Sequence, residues 1–216
     1  MTDDFDAKAL RPSLYAQLAL KRILDVVGSF CLLAILAPAF LLTALAVRLS
    51  SPGPIFLRQK RWGHRERQFG CWKFRTMYID EDSRVPTAAV QALRVQGLLF
   101  KPKNDPRVTR IGLFLRRSSL DELPQLFNVL TGDMSLVGPR PLMLHMLTPF
   151  PELRRSRCRV RPGITGLWQV SARQSNESAL QMAEYDLAYV QNFTLWMDFQ
   201  ILLKTPRVVV RGDGAY

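Results

Sequence analysis

A chain of 216 residues, 48% of them hydrophobic, can bury one ordinary domain, or one domain with a membrane element. Lysine and arginine outnumber aspartate and glutamate 30 to 18, so the partner should be anionic: a phosphorylated substrate, acidic headgroups or nucleic acid. Three scattered cysteines (Cys31, Cys71, Cys158) argue against a disulfide framework, and His64 and His145 alone do not make a zinc cluster.

Residues 1–20 are a polar start without a signal-peptide pattern. Lys21-Arg22 follows, and after Asp25 no charge occurs from Val26 to Val47. That run is long enough to cross a bilayer, which takes about 20 residues. Basic residues stand on both sides, however: Lys21 and Arg22 before it, Arg48, Arg58, Lys60, Arg61, Arg65 and Arg67 after it. Both ends therefore read as cytoplasmic, and a segment with both ends inside must turn back. Pro38 supplies the bend, because an interior proline removes a helical hydrogen bond and crowds the preceding turn. The reading is a helix–break–helix that enters one leaflet; a kinked single-pass helix is the alternative.

Ser50-Ser51-Pro52-Gly53-Pro54 ends this element. Ile55 to Gln59 and Gln68 to Met77, separated by Gly63-His64, predict a small β-hairpin. Lys73 and Arg75 share one face of it, either as a solvated basic surface or as a substrate contact. Asp80-Glu81-Asp82 has the D-x-D pattern of metal-dependent glycosyltransferases, but an acidic loop is the better reading, since no alternation of strands and helices surrounds it. Residues 87–100 read as a helix and Asn104-Asp105-Pro106 as a turn. Val108 to Leu115 then leads to Arg116-Arg117.

Ser119-Leu120-Asp121-Glu122-Leu123-Pro124 admits two readings. Ser119 and Glu122 have capping-box spacing, whereas a helix beginning nearer Asp121 puts Pro124 in a first turn that needs no N–H. Neighbouring helical residues point about 100° apart, so one carboxylate can face a substrate while the other orients it. A helix N-terminus also favours an anion beside them. In Gly138-Pro139-Arg140-Pro141 the prolines restrict the backbone around one arginine, which lowers the entropy lost when it grips a phosphate; shaping a loop is their simpler role.

Further on, Arg154, Arg155, Arg157, Arg159 and Arg161 make a basic run expected against headgroups or a nucleotide. Leu180, Ala183, Leu187 and Val190 predict a core-packed helix on which Tyr185, Asp186 and Tyr189 are weak site candidates. Leu195, Phe199, Leu202 and Leu203, with Trp196 beside them, form a stripe that suits an interfacial helix or a core helix. The elements add up to a predominantly helical α+β fold: a polar segment 1–20, a re-entrant membrane segment 21–50, and a small cytoplasmic-face domain 51–216 with a short hairpin and interfacial amphipathic helices.

Lys21-Arg22 before a proline-broken apolar segment, Lys73-Phe74-Arg75-Thr76-Met77, Ser119-Leu120-Asp121-Glu122-Leu123-Pro124-Gln125, Gly132-Asp133-Met134-Ser135, Val137-Gly138-Pro139-Arg140-Pro141 and Arg161-Pro162-Gly163-Ile164-Thr165-Gly166-Leu167-Trp168-Gln169-Val170 resemble the bacterial monotopic phosphoglycosyl transferases. The match runs from about Leu20 to the C-terminus with six motifs in order. It implies transfer of a sugar phosphate from a UDP-sugar to polyprenyl (undecaprenyl) phosphate at the cytoplasmic face of the bacterial inner membrane, with release of UMP. This is the priming step of exopolysaccharide, capsule or O-antigen synthesis. By the same resemblance Asp121 is the nucleophile beside Mg2+, Glu122 completes the dyad, and Arg140 and Arg116 surround the phosphates; Lys73, on the basic face of the hairpin, and Arg161, in the basic run, are further phosphate-binding candidates. Anionic membrane lipids are implied partners and nucleic acid is not; self-association stays open. Many members have serine before the membrane proline, whereas this chain has Ala37-Pro38. The ending Arg211-Gly212-Asp213-Gly214-Ala215-Tyr216 resembles that of exopolysaccharide and O-antigen priming members and favours a hexose such as galactose or glucose. The competing readings are a non-enzymatic basic protein that binds acidic lipid or nucleic acid, and a glycosyltransferase using Asp80 and Asp82.

Overall fold

The computed structural model describes residues 12–79, 105–172 and 179–211. The Asp80-Glu81-Asp82 motif, the helix expected at 87–100 and the tail after Arg211 lie outside these residues. The first element is α1, Pro12–Ser50, a single helix of 39 residues that contains Pro38. The expected break is therefore not a gap between two helices, and the helix begins before the boundary drawn at residue 21. The helix runs on past Pro38 without the one backbone donor that the proline lacks.

One stripe of α1 is covered by the rest of the chain. Asp25, Ser29, Thr43 and Val47 are buried, and Leu33, Phe40 and Ala44 pack against core side chains between them. This spacing follows the helical period, so a single face meets the domain along the whole segment. Elsewhere Ile23, Val27, Phe30, Ile35, Leu41, Leu42 and Leu49 are exposed.

The hairpin is present as β1, Phe56–Trp62, paired antiparallel with β2, Gln68–Phe74. Arg75 lies beyond β2 and does not share a substrate face with Lys73. Its guanidinium instead donates to the carbonyls of Val47, Ser51 and Pro52, closing the C-terminal end of α1, whose last carbonyls have no helical partners.

Helix α2, Arg110–Arg117, starts at a Thr109 cap whose hydroxyl accepts from the Gly112 N–H. A 3-10 turn, Leu120–Glu122, precedes α3, Gln125–Thr131. Strand β3, Ser135–Val137, pairs in parallel with β4, Gly163–Thr165, a small second sheet that sequence periodicity did not predict. Short helices α4, Leu144–Leu147, and α5, Pro151–Arg157, lie between these strands, and α6, Leu167–Ser171, follows them. The last elements are α7, Ala179–Gln191, and α8, Leu195–Arg211.

On α7 the buried face carries Met182, Ala183, Asp186 and Tyr189, while Leu180 is exposed, so the packed stripe is rotated from the one expected. On α8 the buried positions are Asp198 and Ile201; Trp196, Phe199, Leu202, Leu203 and Val210 face outward, as an interfacial helix requires. The main core joins Leu126, Val129, Met134, Val137, Tyr189 and Ile201, so α3 packs beside both α1 and the small sheet.

Candidate active site

Lys73 sits near the end of β2, and two hydrogen bonds from one side chain fix that strand against α3. The Asn128 carboxamide accepts from the Trp72 N–H at 2.9 Å and donates to the Gly70 carbonyl at 2.9 Å. Asn128 is buried and within an apolar run, where only such pairing offsets its desolvation. The other side of the site comes from the turn between α2 and α3. Ser119 has φ of 56°, in the left-handed region, and makes no side-chain cap; the capping box expected between Ser119 and Glu122 is not formed. That conformation reverses the chain and turns Asp121 and Glu122 toward β2. Pro124 then precedes the first turn of α3, where its missing donor costs nothing.

The Lys73 ammonium lies 2.8 Å from Glu122 Oε1 and 3.5 Å from Asp121 Oδ2. Arg140 Nη2 donates to the same Glu122 oxygen at 2.9 Å. Burial pushes both carboxyls up, but Arg140 and Lys73 outweigh it at Glu122 and hold that group below the usual carboxylate range. For Asp121 burial dominates: its pKa is raised, Lys73 opposing the shift and the Glu122 charge adding to it. The two adjacent acids are thus pushed apart, Glu122 being the fixed anion and Asp121 the carboxylate with the weaker charge compensation.

Arg116, in the last turn of α2, donates from Nε to Thr76 Oγ1 at 3.0 Å, and its charge also acts on Asp121. Arg161 is placed elsewhere. Its Nε donates to the Gly132 carbonyl at 2.8 Å, beyond the C-terminal end of α3, whereas the dyad precedes the N-terminal end. The structure therefore brings Asp121, Glu122, Lys73, Arg140 and Arg116 together and leaves Arg161 outside. The basic run around it serves several purposes: Arg154 pairs with Glu66 and lies over Trp62, Arg157 is buried against Asp186, and Arg155 reaches Glu152.

Arg61 was read from sequence as a flanking charge, yet it is buried beside this cluster. Its Nη2 donates to Gln59 Oε1 at 2.7 Å and its charge acts on Arg140 and Glu122. Burial lowers its pKa to about 10, still well above neutral pH. The signal available in sequence was its register on β1, one residue before the strand ends at Trp62. Arg140 also borders a cleft lined by Trp62, Pro139, Arg157, Cys158 and Pro162.

No group of three or more metal-ligating side chains occurs among the described residues. Two adjacent carboxylates still suit Mg2+, which is commonly held by one or two carboxylates together with substrate phosphates and water. The arrangement can present one carboxylate to an electrophile and hold several anionic oxygens with cations.

Residues 16–212 match the family described as bacterial sugar transferase. The chain is 40% identical over 202 residues to the exopolysaccharide production protein ExoY of Rhizobium meliloti, covering 91% of this chain and 88% of that protein. It is 42% identical over 204 residues to the undecaprenyl-phosphate galactose phosphotransferase of Salmonella typhimurium, covering 91% of this chain and 42% of the relative. With the UDP-glucose:undecaprenyl-phosphate glucose-1-phosphate transferase of Escherichia coli it shares 41% identity over 193 residues, 86% of this chain and 39% of the relative. The chain thus spans about two-fifths of the length of two of these relatives.

Proposed function

This chain belongs to the bacterial sugar transferase family, and on that premise we propose that it transfers a sugar 1-phosphate from a UDP-sugar to polyprenyl (undecaprenyl) phosphate. An Asp121 oxygen attacks the phosphorus attached to the sugar; the bond from that phosphorus to the bridging oxygen breaks, and UMP leaves with the electron pair. A phosphate oxygen of the lipid then attacks the same phosphorus, the aspartyl–phosphorus bond breaks, and the carboxylate is restored. Two half-reactions at one carboxylate mean that two anionic substrates need not occupy the site together. The attacking oxygen of the lipid is already an anion, so no strong base is required.

The observation that carries this reading is the asymmetry of the dyad. Lys73 and Arg140 both hold Glu122, while Asp121 is buried with its pKa raised, so Asp121 is the carboxylate left to react. Arg140, Lys73 and Arg116 compensate the negative charge of the donor's diphosphate. Mg2+ would be held by Asp121 together with the diphosphate and would supply further charge compensation there.

We infer attachment at the cytoplasmic face from the basic residues on both sides of the apolar segment, and the way that segment is held supports two ends on one side of the membrane. Near its start Lys21 bonds Asp198 and the Val137 carbonyl, Arg22 bonds the Val129 and Leu130 carbonyls, and Asp25 accepts from the Leu136 N–H. Near its end Arg75 holds the Val47 and Ser51 carbonyls. Both ends of the apolar segment thus lie against one domain, which a helix crossing the bilayer would have to leave behind at one end. This supports a segment that stays within one leaflet with its exposed apolar face in lipid. Names of relatives include both galactose and glucose transferases, in keeping with a hexose donor.

The test is the released nucleotide and the adduct. With membranes, polyprenyl phosphate, UDP-galactose and UDP-glucose, the protein should release UMP and carry a phosphosugar, and Asp121→Asn should lose both. Release of UDP, or full transfer by that variant, would overturn the proposal.

A further inference from the structure

Prolines at 139 and 141 deprive the segment around Arg140 of two backbone donors, so its carbonyls must accept the hydrogen bonds that hold it. The Gly163 N–H donates to the Pro139 carbonyl at 2.9 Å, and Arg157 Nη2 donates to the Arg140 carbonyl at 2.9 Å. Arg157 is itself buried and held sideways: its Nε, at 2.9 Å, and Nη2 both donate to Asp186 Oδ2. Because a guanidinium carries five N–H donors in a plane, one arginine can grip the Asp186 carboxylate and still present an N–H to the Arg140 carbonyl. A buried ion pair adds little net stability over apolar residues of similar size, so this pairing asks for a reason other than stability.

We propose that Asp186 and Arg157 are positioning residues for Arg140: Asp186 orients the Arg157 guanidinium, which fixes the Arg140 backbone so that its side chain meets Glu122 and the donor's phosphates. The inference rests on Arg140 being a ligand of the UDP-sugar diphosphate. It adds that the geometry of that ligand is set from behind, by a pair contributed by α5 and α7.

Transfer kinetics of the full chain in membranes test this. Arg157→Met/Asp186→Leu removes the pair without leaving a buried charge, and Arg157→Lys keeps a cation near Asp186 while losing the fork that reaches the Arg140 carbonyl. Each is checked for folding by thermal unfolding. With UDP-galactose or UDP-glucose, whichever is used, both should raise KM for the donor about tenfold, more than they lower kcat, and leave KM for polyprenyl phosphate nearly unchanged. In an Arg140→Ala background the same changes should cost nothing further. An unchanged donor KM in a folded Arg157→Lys protein, or losses that add fully to that of Arg140→Ala, would overturn the positioning role while leaving UMP release by the parent protein intact. If Arg140→Ala itself leaves the donor KM unchanged, the phosphate-binding assignment of Arg140 falls, and the positioning role with it.

Discussion

Asp121 and Glu122 are neighbours in sequence but not equivalents in charge. Glu122 receives Lys73 and Arg140 on one oxygen, while Asp121 meets Lys73 at the longer distance of 3.5 Å, with Arg116 and Arg140 acting on it through their charge. Because the Asp121 pKa is raised and attack needs the carboxylate, formation of the phosphosugar adduct should increase as pH rises through that raised value. Lys73 opposes the shift, so Lys73→Met should move the acid limb of adduct formation to higher pH, measured as adduct yield at short times across a pH series. A limb that stays in place or moves down would contradict this account. The carboxylates, Lys73, Arg116 and Arg140 are candidates already in the sequence, and the structure brings them together. Arg61 reads in the sequence only as a flanking charge and Arg157 only as one of a basic run expected against headgroups or a nucleotide, because a buried arginine and an exposed one look alike until their partners are known. The same limit applies to Ser119, whose spacing from Glu122 fits a capping box although its left-handed backbone forms a different turn.

Helix α3 is the element that sets the site. Gly132, with φ of 90°, ends it in the left-handed conformation that glycine adopts without cost, and Arg22 from α1 satisfies its last carbonyls. At its middle Asn128 joins it to β2, 56 residues away from Trp72 in sequence, and so holds Lys73 opposite the dyad. Asn128→Ala leaves the Trp72 N–H and the Gly70 carbonyl without this partner. It should destabilise the protein by roughly 2–4 kcal/mol, read by thermal unfolding, and slow adduct formation even where the protein remains folded. A variant with unaltered stability would mean that β2 is held by other contacts. The hairpin was predictable from alternating residues and a turn, whereas β3 and β4, at three residues each, are too short to show a period.

At the scale of the whole molecule, the apolar segment and the candidate site residues form one body rather than an anchor and a tethered domain. Lys21 and Arg22 do more than flank the apolar segment with charge, since α8, β3 and α3 bind them. A membrane-impermeant thiol reagent provides the check. With Cys31 changed to Ala, a cysteine appended to the N-terminus and one replacing Lys60 should both resist the reagent in intact cells and react in inside-out vesicles. Labelling of the N-terminal cysteine from outside would mean that α1 spans the bilayer. The exposed apolar sides of α1 and α8 are large for a water-facing surface and fit a lipid environment.

What the sequence determined by itself was local or compositional: an apolar segment long enough for a membrane, a two-stranded hairpin, an Asp-Glu pair before a helix, and an arginine held between prolines. These follow from periodicity, propensity and charge, which act over a few residues. The convergence of Arg140 and Lys73 on Glu122, the placing of Arg161 away from them, and the contact of both ends of the apolar segment with one domain were settled only in three dimensions. Each of these depends on which side chains bury and pair across long separations, Lys73 and Glu122 being 49 residues apart. A chain's local preferences leave such choices open, because the desolvation of a charge is offset only by the partner that folding brings to it.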